Sequence, residues 1–401
     1  MFNMPSKILG SVLLIIGTTI GAGMLSLPLV VASCGFITAI ILLVISWSVM
    51  YITALRLLNV CAEYPLGVNF TTMLQSRASK AYQIFFSIIY LLLLYALMSA
   101  YTTQGAILVN TIGGEVSLHS SHIAIPALVF ILVFSSFMHS YLVSDYANRF
   151  FVFLKFIFFV IAMVVMLFYI NVNYLTSQPI SILALLFAWP TLLPSFGFHN
   201  IIPVLYEYQK GDIKNIRKSI FIGSISVLVI YIVWLLLALS LMPQTGDHSY
   251  RYLFEFQNNS LGGFTEQINA LAGSKVLEFG LGAFIHLAII TSFIGVGISL
   301  MHYTRDMLLK FNIKISNLYV SLLCFFPPLI FTVFYPEGFI LALQYAAIFA
   351  VVVFIYTPIF LYNKKSTTLK YMNIYALSLG SLVIVFQIIN LYFNINPFHV
   401  I

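Results

Sequence analysis

Two short stretches carry residue types suited to ligand chemistry inside an apolar setting. The first is Gly17-Thr18-Thr19-Ile20-Gly21-Ala22-Gly23-Met24, within an apolar run over 8–31. Glycine and threonine lower the cost of unwinding a helix, since one lacks a Cβ and the other offers its hydroxyl to nearby carbonyls. The second is Pro190-Thr191-Leu192-Leu193-Pro194-Ser195-Phe196-Gly197-Phe198-His199-Asn200, whose prolines remove backbone donors and whose Gly197 admits close approach. Opened peptide groups at membrane depth are tolerated only where they line a protein-enclosed or watery cavity. A helix restarting near Ala22 and Gly23 presents free N–H groups and a positive dipole end, which suit a carboxylate. Carbonyls released near 17–20 suit an ammonium group or a metal cation. An interruption offering both signs fits a zwitterion, so an amino acid is the expected ligand. A packing kink made by small residues is the plainer alternative for one stretch alone. Recurrence at a matched position favours a site.

Further polar residues fall in apolar runs. Ser195 is placed to contact the substrate's polar end, and Phe198 to stack on or wall off its side chain. Lys155 is the only charge well inside an expected span, and such residues are functional candidates by default. Its competing reading is snorkelling toward the end marked by Arg149, about 9 Å away along a helix. A desolvated lysine that sheds and regains a proton would act as a proton carrier. Thr291 and Ser292 offer hydroxyls that ligate sodium or accept from ammonium, or merely bond to their own helix. Tyr101 and Gln104 lie one turn apart on one face, and Gln344 is polar at depth. His199 and His286 are open to gating or protonation as well as to a structural role. Cys34, Cys61 and Cys324 are scattered without metal-ligand spacing, so no metal, cofactor or disulfide is expected.

The elements that hold these residues follow from composition. At 61% hydrophobic and 7% charged, with mean hydropathy +1.04, the chain is no soluble globular domain, where roughly a quarter of residues are charged. Continuous apolar runs of about 20 residues exclude an outer-membrane barrel. The formal charge of +7 does not imply nucleic acid, because the basic residues sit in short loops. Val31-Ala32-Ser33-Cys34 resembles a lipoprotein cleavage box, but the apolar region before it is too long and too interrupted for a signal. The fold expected is an all-α polytopic membrane protein of about eleven spans. They are placed at 8–32, 36–58, 83–109, 123–138, 150–170, 182–206, 219–242, 276–302, 318–334, 339–362 and 371–393. A short helix over 266–272, stopped by Gly273, is expected in the longest connection.

Charge tests the count. With the N-terminus in the cytoplasm, every Lys and Arg except Lys155, Arg251 and Lys275 falls on a cytoplasmic segment. External loops carry Glu115, Asp247, Glu255, Glu266, Glu278 and Glu337. The pattern places the N-terminus inside and the C-terminus outside. The interruptions then fall in the first helix of each group of five, which is an inverted repeat with discontinuous helices 1 and 6. The repeats span 1–171 and 172–362, and 363–401 holds an added helix.

These residues bring a resemblance into view. The 17–24 stretch running to Leu27 and Pro28 is similar to the first helix of the hydroxy and aromatic amino acid permease family, especially its tyrosine-specific branch. Also similar are Ser195-Phe196-Gly197-Phe198-His199, Asn148-Arg149 followed by Lys155, and Thr291-Ser292-Phe293-Ile294-Gly295. The last match is Pro327-Pro328 followed by Tyr335-Pro336-Glu337-Gly338-Phe339. The resemblance covers nearly the whole chain. It implies the leucine-transporter-like five-plus-five fold of the amino acid–polyamine–organocation superfamily, and proton-coupled amino acid uptake across a bacterial inner membrane. By motif, Ala22 and Gly23, beside Gly21, would hold the carboxylate, and Thr19 with the Leu192 and Leu193 carbonyls the ammonium. Gly17, Ile20, Thr291 and Ser292 would outline a cation position into which Lys155 projects. The chain departs from the family pattern at Asn200, where glycine is expected, and at Gln344, where a small residue is expected. His286 and His302 stand where acidic residues are expected.

The reading is therefore a non-enzymatic carrier that imports an aromatic amino acid, tyrosine first, by proton symport with alternating access. Tryptophan, phenylalanine, serine or threonine as cargo, and sodium as coupling ion, keep the same fold. An amino-acid receptor shares every feature. An intramembrane acyltransferase, for which His139 and Asp145 are the nearest candidates, would leave both interruptions unexplained.

Overall fold

A computed structural model describes residues 6–112, 120–139, 141–176, 182–256, 261–310, 313, 316–362, 367–393, 395 and 397–398. The chain opens with α1 (Ser6–Thr19), α2 (Ala22–Val31) and a 3-10 turn at Ala32–Cys34, then α3 (Phe36–Cys61), α4 (Phe70–Arg77) and α5 (Lys80–Ile112). Next come α6 (Ser120–Ser136), α7 (Tyr141–Met166) and the single turn α8 (Asn173–Thr176). Between α9 (Ile182–Leu192) and α10 (Ile202–Tyr208) lie 3-10 turns at Pro194–Phe196 and His199–Ile201. Then follow α11 (Ile213–Leu241), α12 (Tyr250–Phe256), α13 (Leu261–Ala272), α14 (Lys275–Lys310) and α15 (Asn317–Phe334). The chain ends with α16 (Phe339–Val351), a π-helical turn at Val352–Tyr356, α17 (Thr357–Leu361) and α18 (Thr367–Phe393).

No strand occurs among the described residues. Among them, nine helices are long and apolar enough to cross a bilayer, and ten if α1 and α2, bent by 53°, count as one. Ile123–Ser136 is a shorter apolar helix. Several boundaries differ from the sequence reading. α7 starts at Tyr141 rather than 150, so Asn148 and Arg149 belong to the helix. α11 starts at Ile213 rather than 219, because Asp212 caps it: Asn215 N–H donates to Asp212 Oδ1 (3.1 Å). The charged segment 213–218 is thus the first turn and a half of a helix, not a loop. α14 continues past 302 to Lys310. α4 and α12 lie in segments read as loops. Gly273 does stop α13, at φ +58°, with its N–H on the Asn269 carbonyl (2.8 Å). Glu115, Lys364 and Lys365, the side chains of Ala22, His139 and Asp145, and residues 177–181 lie outside the described residues.

By contacts the chain falls into two compact units. The first draws on Met1–Tyr90, Pro179–Leu235 and Ala347–Ile401. In it α9 packs on α2 and α18, and α3 on α17 and α18. Lipid offers no hydrophobic drive for helices to associate, so small residues and polar ties matter. A Cβ on Gly223 would meet Ile15 at 2.9 Å, so α1 and α11 approach closely. Gln209 donates to Ser11 Oγ (2.7 Å) and Ser219 Oγ (2.9 Å), and Trp47 Nε1 to Ser224 Oγ (3.1 Å).

The second unit draws on Leu91–Gln178 and Leu236–Ala346. Its spine is the antiparallel pair α7 and α14. Lys155 meets Thr291, Phe159 packs on Phe284 (5.0 Å between ring centres), and a Cβ on Gly280 would lie 3.3 Å from the Ile161 side chain, in opposite chain order on the two helices. Gly105 on α5 lies against the Phe130 ring of α6, which packs edge-on to Phe293 of α14 (4.8 Å). Thr103 and Thr332 hydroxyls pair at 3.2 Å, joining α5 to α15.

Candidate functional site

In the first unit the interruption of helix 1 is narrower than its composition suggests. Regular bonding persists through Gly17, Thr18 and Thr19, and Ile20 N–H still reaches the Ile16 carbonyl (2.9 Å). Only Ile20 and Gly21 leave helical form before α2 begins at Ala22. Gly21 adopts extended angles (φ −141°, ψ −156°) with no side-chain cap, and its carbonyl takes the Met24 N–H (3.0 Å). The start of α2 therefore presents backbone N–H groups without a capping side chain, the arrangement that attracts an anion. Thr18 and Gly17 are exposed, and nothing lies within 4 Å of a Cβ built on Gly17. Thr19 is buried, with its hydroxyl returned to the Ile15 carbonyl (2.6 Å).

The interruption of helix 6 is longer. Pro190 stays within α9, and regular bonding ends after Leu192. Leu193 to Ile201 form two tight turns separated by Gly197 and Phe198. A Cβ on Gly197 would sit 2.8 Å from the Pro194 carbonyl and 3.0 Å from the Phe354 ring, so only glycine fits without movement. Leu192, Leu193 and Phe198 are buried, and the Ser195 hydroxyl is turned back on the Thr191 carbonyl (2.9 Å).

These two interruptions face each other. A Cβ on Gly23 would lie 3.7 Å from Ser195 Oγ and 3.9 Å from its Cα. Tyr231 of α11, fully buried, ties them. Its hydroxyl is 2.8 Å from the Thr19 carbonyl and 2.9 Å from the Ser195 carbonyl. One phenolic proton serves two acceptors. One turn on, Trp234 Nε1 donates to the Met24 carbonyl (3.1 Å). His199 is buried between aromatic rings, stacked on Phe354 (5.0 Å, 15°) and beside Phe198 (5.6 Å). Its Nε2 pairs with Thr53 Oγ1 (2.9 Å), and among the described residues Nδ1 has no partner. This histidine is anchored to α3 and to the π-helical turn that carries Phe354.

The second unit holds the other expected residues. Lys155 is 6% exposed, and its Nζ lies 3.4 Å from Thr291 Oγ1, a contact that replaces the snorkelling alternative. Thr291 Oγ1 is also 3.2 Å from the Ala288 carbonyl. Tyr101 is within hydrogen-bonding reach of Ser292, and Gln104 and Gln344 are buried. His286 Nδ1 is buried without a partner among the described residues. No group of three or more His, Cys, Asp or Glu able to hold a metal occurs among the described residues.

Sequence reasoning missed Tyr231, Trp234, Thr53 and Arg56. Tyr231 is one of 24 tyrosines, so composition does not mark it. Arg56 carries a signal, a charge inside an apolar run, but it stands close enough to the expected span end at 58 to count with the cytoplasmic Lys and Arg.

Comparison with known proteins bears on the same segments. The model of the tryptophan/tyrosine permease family matches residues 4–396. The chain is 35% identical over 348 residues to the Tyrosine-specific transport system 1 of Haemophilus influenzae, covering 85% of this chain and 84% of that protein. It is 30% identical over 364 residues to that organism's Tryptophan-specific transport protein, covering 86% and 84%. To the Low affinity tryptophan permease of Escherichia coli K12 it is 31% identical over 351 residues, covering 85% and 83%. These relatives are named as transporters and permeases rather than enzymes. With apolar helices throughout and its match extending from before the first interruption to beyond α18, the chain belongs to the tryptophan/tyrosine permease family, as a multi-pass membrane protein.

Proposed function

We propose that the protein is a secondary active transporter of the bacterial inner membrane that imports an aromatic amino acid, tyrosine first, by proton symport with alternating access. The observation that carries this reading is the pair of interrupted spans in the first unit, with Gly23 against Ser195 and one hydroxyl tying them. The N–H groups at Gly21, Ala22 and Gly23 receive the substrate carboxylate. The carbonyls of Thr19, Leu192 and Leu193 receive its ammonium group. Ser195 contacts the substrate's polar end, Gly197 allows the backbone to approach closely, and Phe198 bounds the side-chain end. Lys155, held on Thr291 in the second unit, carries the coupling proton, since a fixed ammonium would occupy a sodium position. The architecture proposed is eleven spans in two inverted repeats, 1–171 and 172–362, with 363–401 as an addition, the N-terminus cytoplasmic and the C-terminus periplasmic.

Uptake into proteoliposomes with the proton and sodium gradients imposed independently tests this. Tyrosine accumulation on a proton gradient, indifferent to sodium, is the expected outcome. Sodium dependence would replace the coupling ion, and binding without counterflow would make the protein a receptor. The relatives named for tryptophan support a second cargo, and competition between the two amino acids in the same vesicles ranks them.

A further inference from the structure

Arg56 lies on α3 about 7.5 Å in from its last residue, at 1.5 Å per residue, and is 3% exposed. Among the described residues its hydrogen-bond and ring partners are all neutral. Nε donates to Asn373 Oδ1 (2.8 Å), Nη2 points at Met372 Sδ (3.7 Å), and the guanidinium lies 5.5 Å from the centre of the Tyr362 ring. One turn along α3, Asn59 Oδ1 accepts from Arg217 Nη2 (2.6 Å), so a second guanidinium stands within electrostatic reach of the first. Among the described residues no carboxylate pairs with either arginine. The acidic residues in the stretches forming this unit are Glu63, Glu207 and Asp212. Glu63 is bound to Arg77, and Asp212 caps α11 through Asn215. The connection from Tyr362 to α18 adds Lys364 and Lys365 to the sequence and no acid.

A buried charge without a counter-ion is strongly unfavourable, and a guanidinium presents five donors in a fork that matches phosphate oxygens. Arg56, Arg217 and Asn373 all sit within about two turns of a helix end. Tyr371 is exposed at the same end of α18, and interfacial tyrosines mark the depth of lipid headgroups. We propose that Arg56 and Arg217 form a binding site for a phosphate group, supplied by the headgroup of an anionic phospholipid. The proposal needs only that the protein sits in a bilayer and is independent of its cargo.

Native mass spectrometry of the full-length protein released from mixed phosphatidylglycerol and phosphatidylcholine vesicles tests it, beside thermal unfolding in each lipid. Wild type is expected to retain phosphatidylglycerol selectively and to unfold at higher temperature with it. Losing a charge-assisted hydrogen bond should cut that retention by about tenfold in Arg56→Gln. Equal retention by wild type and variant overturns the site. If excess inorganic phosphate protects wild type but not Arg56→Gln in phosphatidylcholine alone, the anion site stands and lipid is overturned as its source. Should Arg56→Gln fail to assemble, Arg56→Lys, which keeps charge without the fork, and Arg217→Gln carry the comparison. Wild-type retention by both would overturn the proposal.

Discussion

Tyr231 offers one proton to two carbonyls, at 2.8 and 2.9 Å, each at the end of an interrupted segment. Tyr231→Phe should lower the unfolding free energy by about 1–3 kcal/mol, the cost of leaving a buried acceptor unmet. Denaturation of the purified variant reads this, and an unchanged midpoint would mean that the carbonyls are satisfied otherwise. Lys155 makes a different prediction, since its ammonium lies 3.4 Å from the Thr291 hydroxyl. Lys155→Ala should abolish the pH dependence of uptake, and an unaltered profile would remove it from coupling. The lysine was legible because a charge interrupts an apolar run. The tyrosine was not, since its importance lies in what two distant segments bring to it.

At the level of the element, the glycines separate by what surrounds them. Gly17 sits in regular helix with open space at its Cβ position, so Gly17→Ala should stabilise by about 0.5–1 kcal/mol through helix propensity. Gly197 is pressed by a carbonyl and a ring, so Gly197→Ala should cost about 1–3 kcal/mol through overpacking. Paired thermal melts check the opposite signs; equal shifts would contradict the local geometry. The positions of both interruptions could be read from glycine, threonine and proline. Their extents could not, because a threonine that bonds to its own helix, as Thr19 does to Ile15, holds the turn that composition alone would loosen. The π-helical turn at Val352–Tyr356 left no trace either. Its first four residues are apolar, so an extra residue in the turn changes no hydrophobic pattern.

For the molecule as a whole, composition alone dictated helices in a bilayer, and the distribution of Lys and Arg predicts its orientation. A reporter active only outside the cytoplasm, fused after the last residue, should be active, and the same reporter at the N-terminus silent. The reverse result would invert the topology. The grouping of helices into units was not legible, since it rests on contacts between segments far apart in sequence. That grouping has a consequence for biogenesis. The unit carrying both interruptions is drawn from the beginning, middle and end of the chain. Arg56 enters the membrane early in synthesis, yet its acceptor Asn373 emerges only near the end. Until then Arg56 lacks that hydrogen bond and the unit lacks its last helix, so this unit closes only once nearly the whole chain has been made.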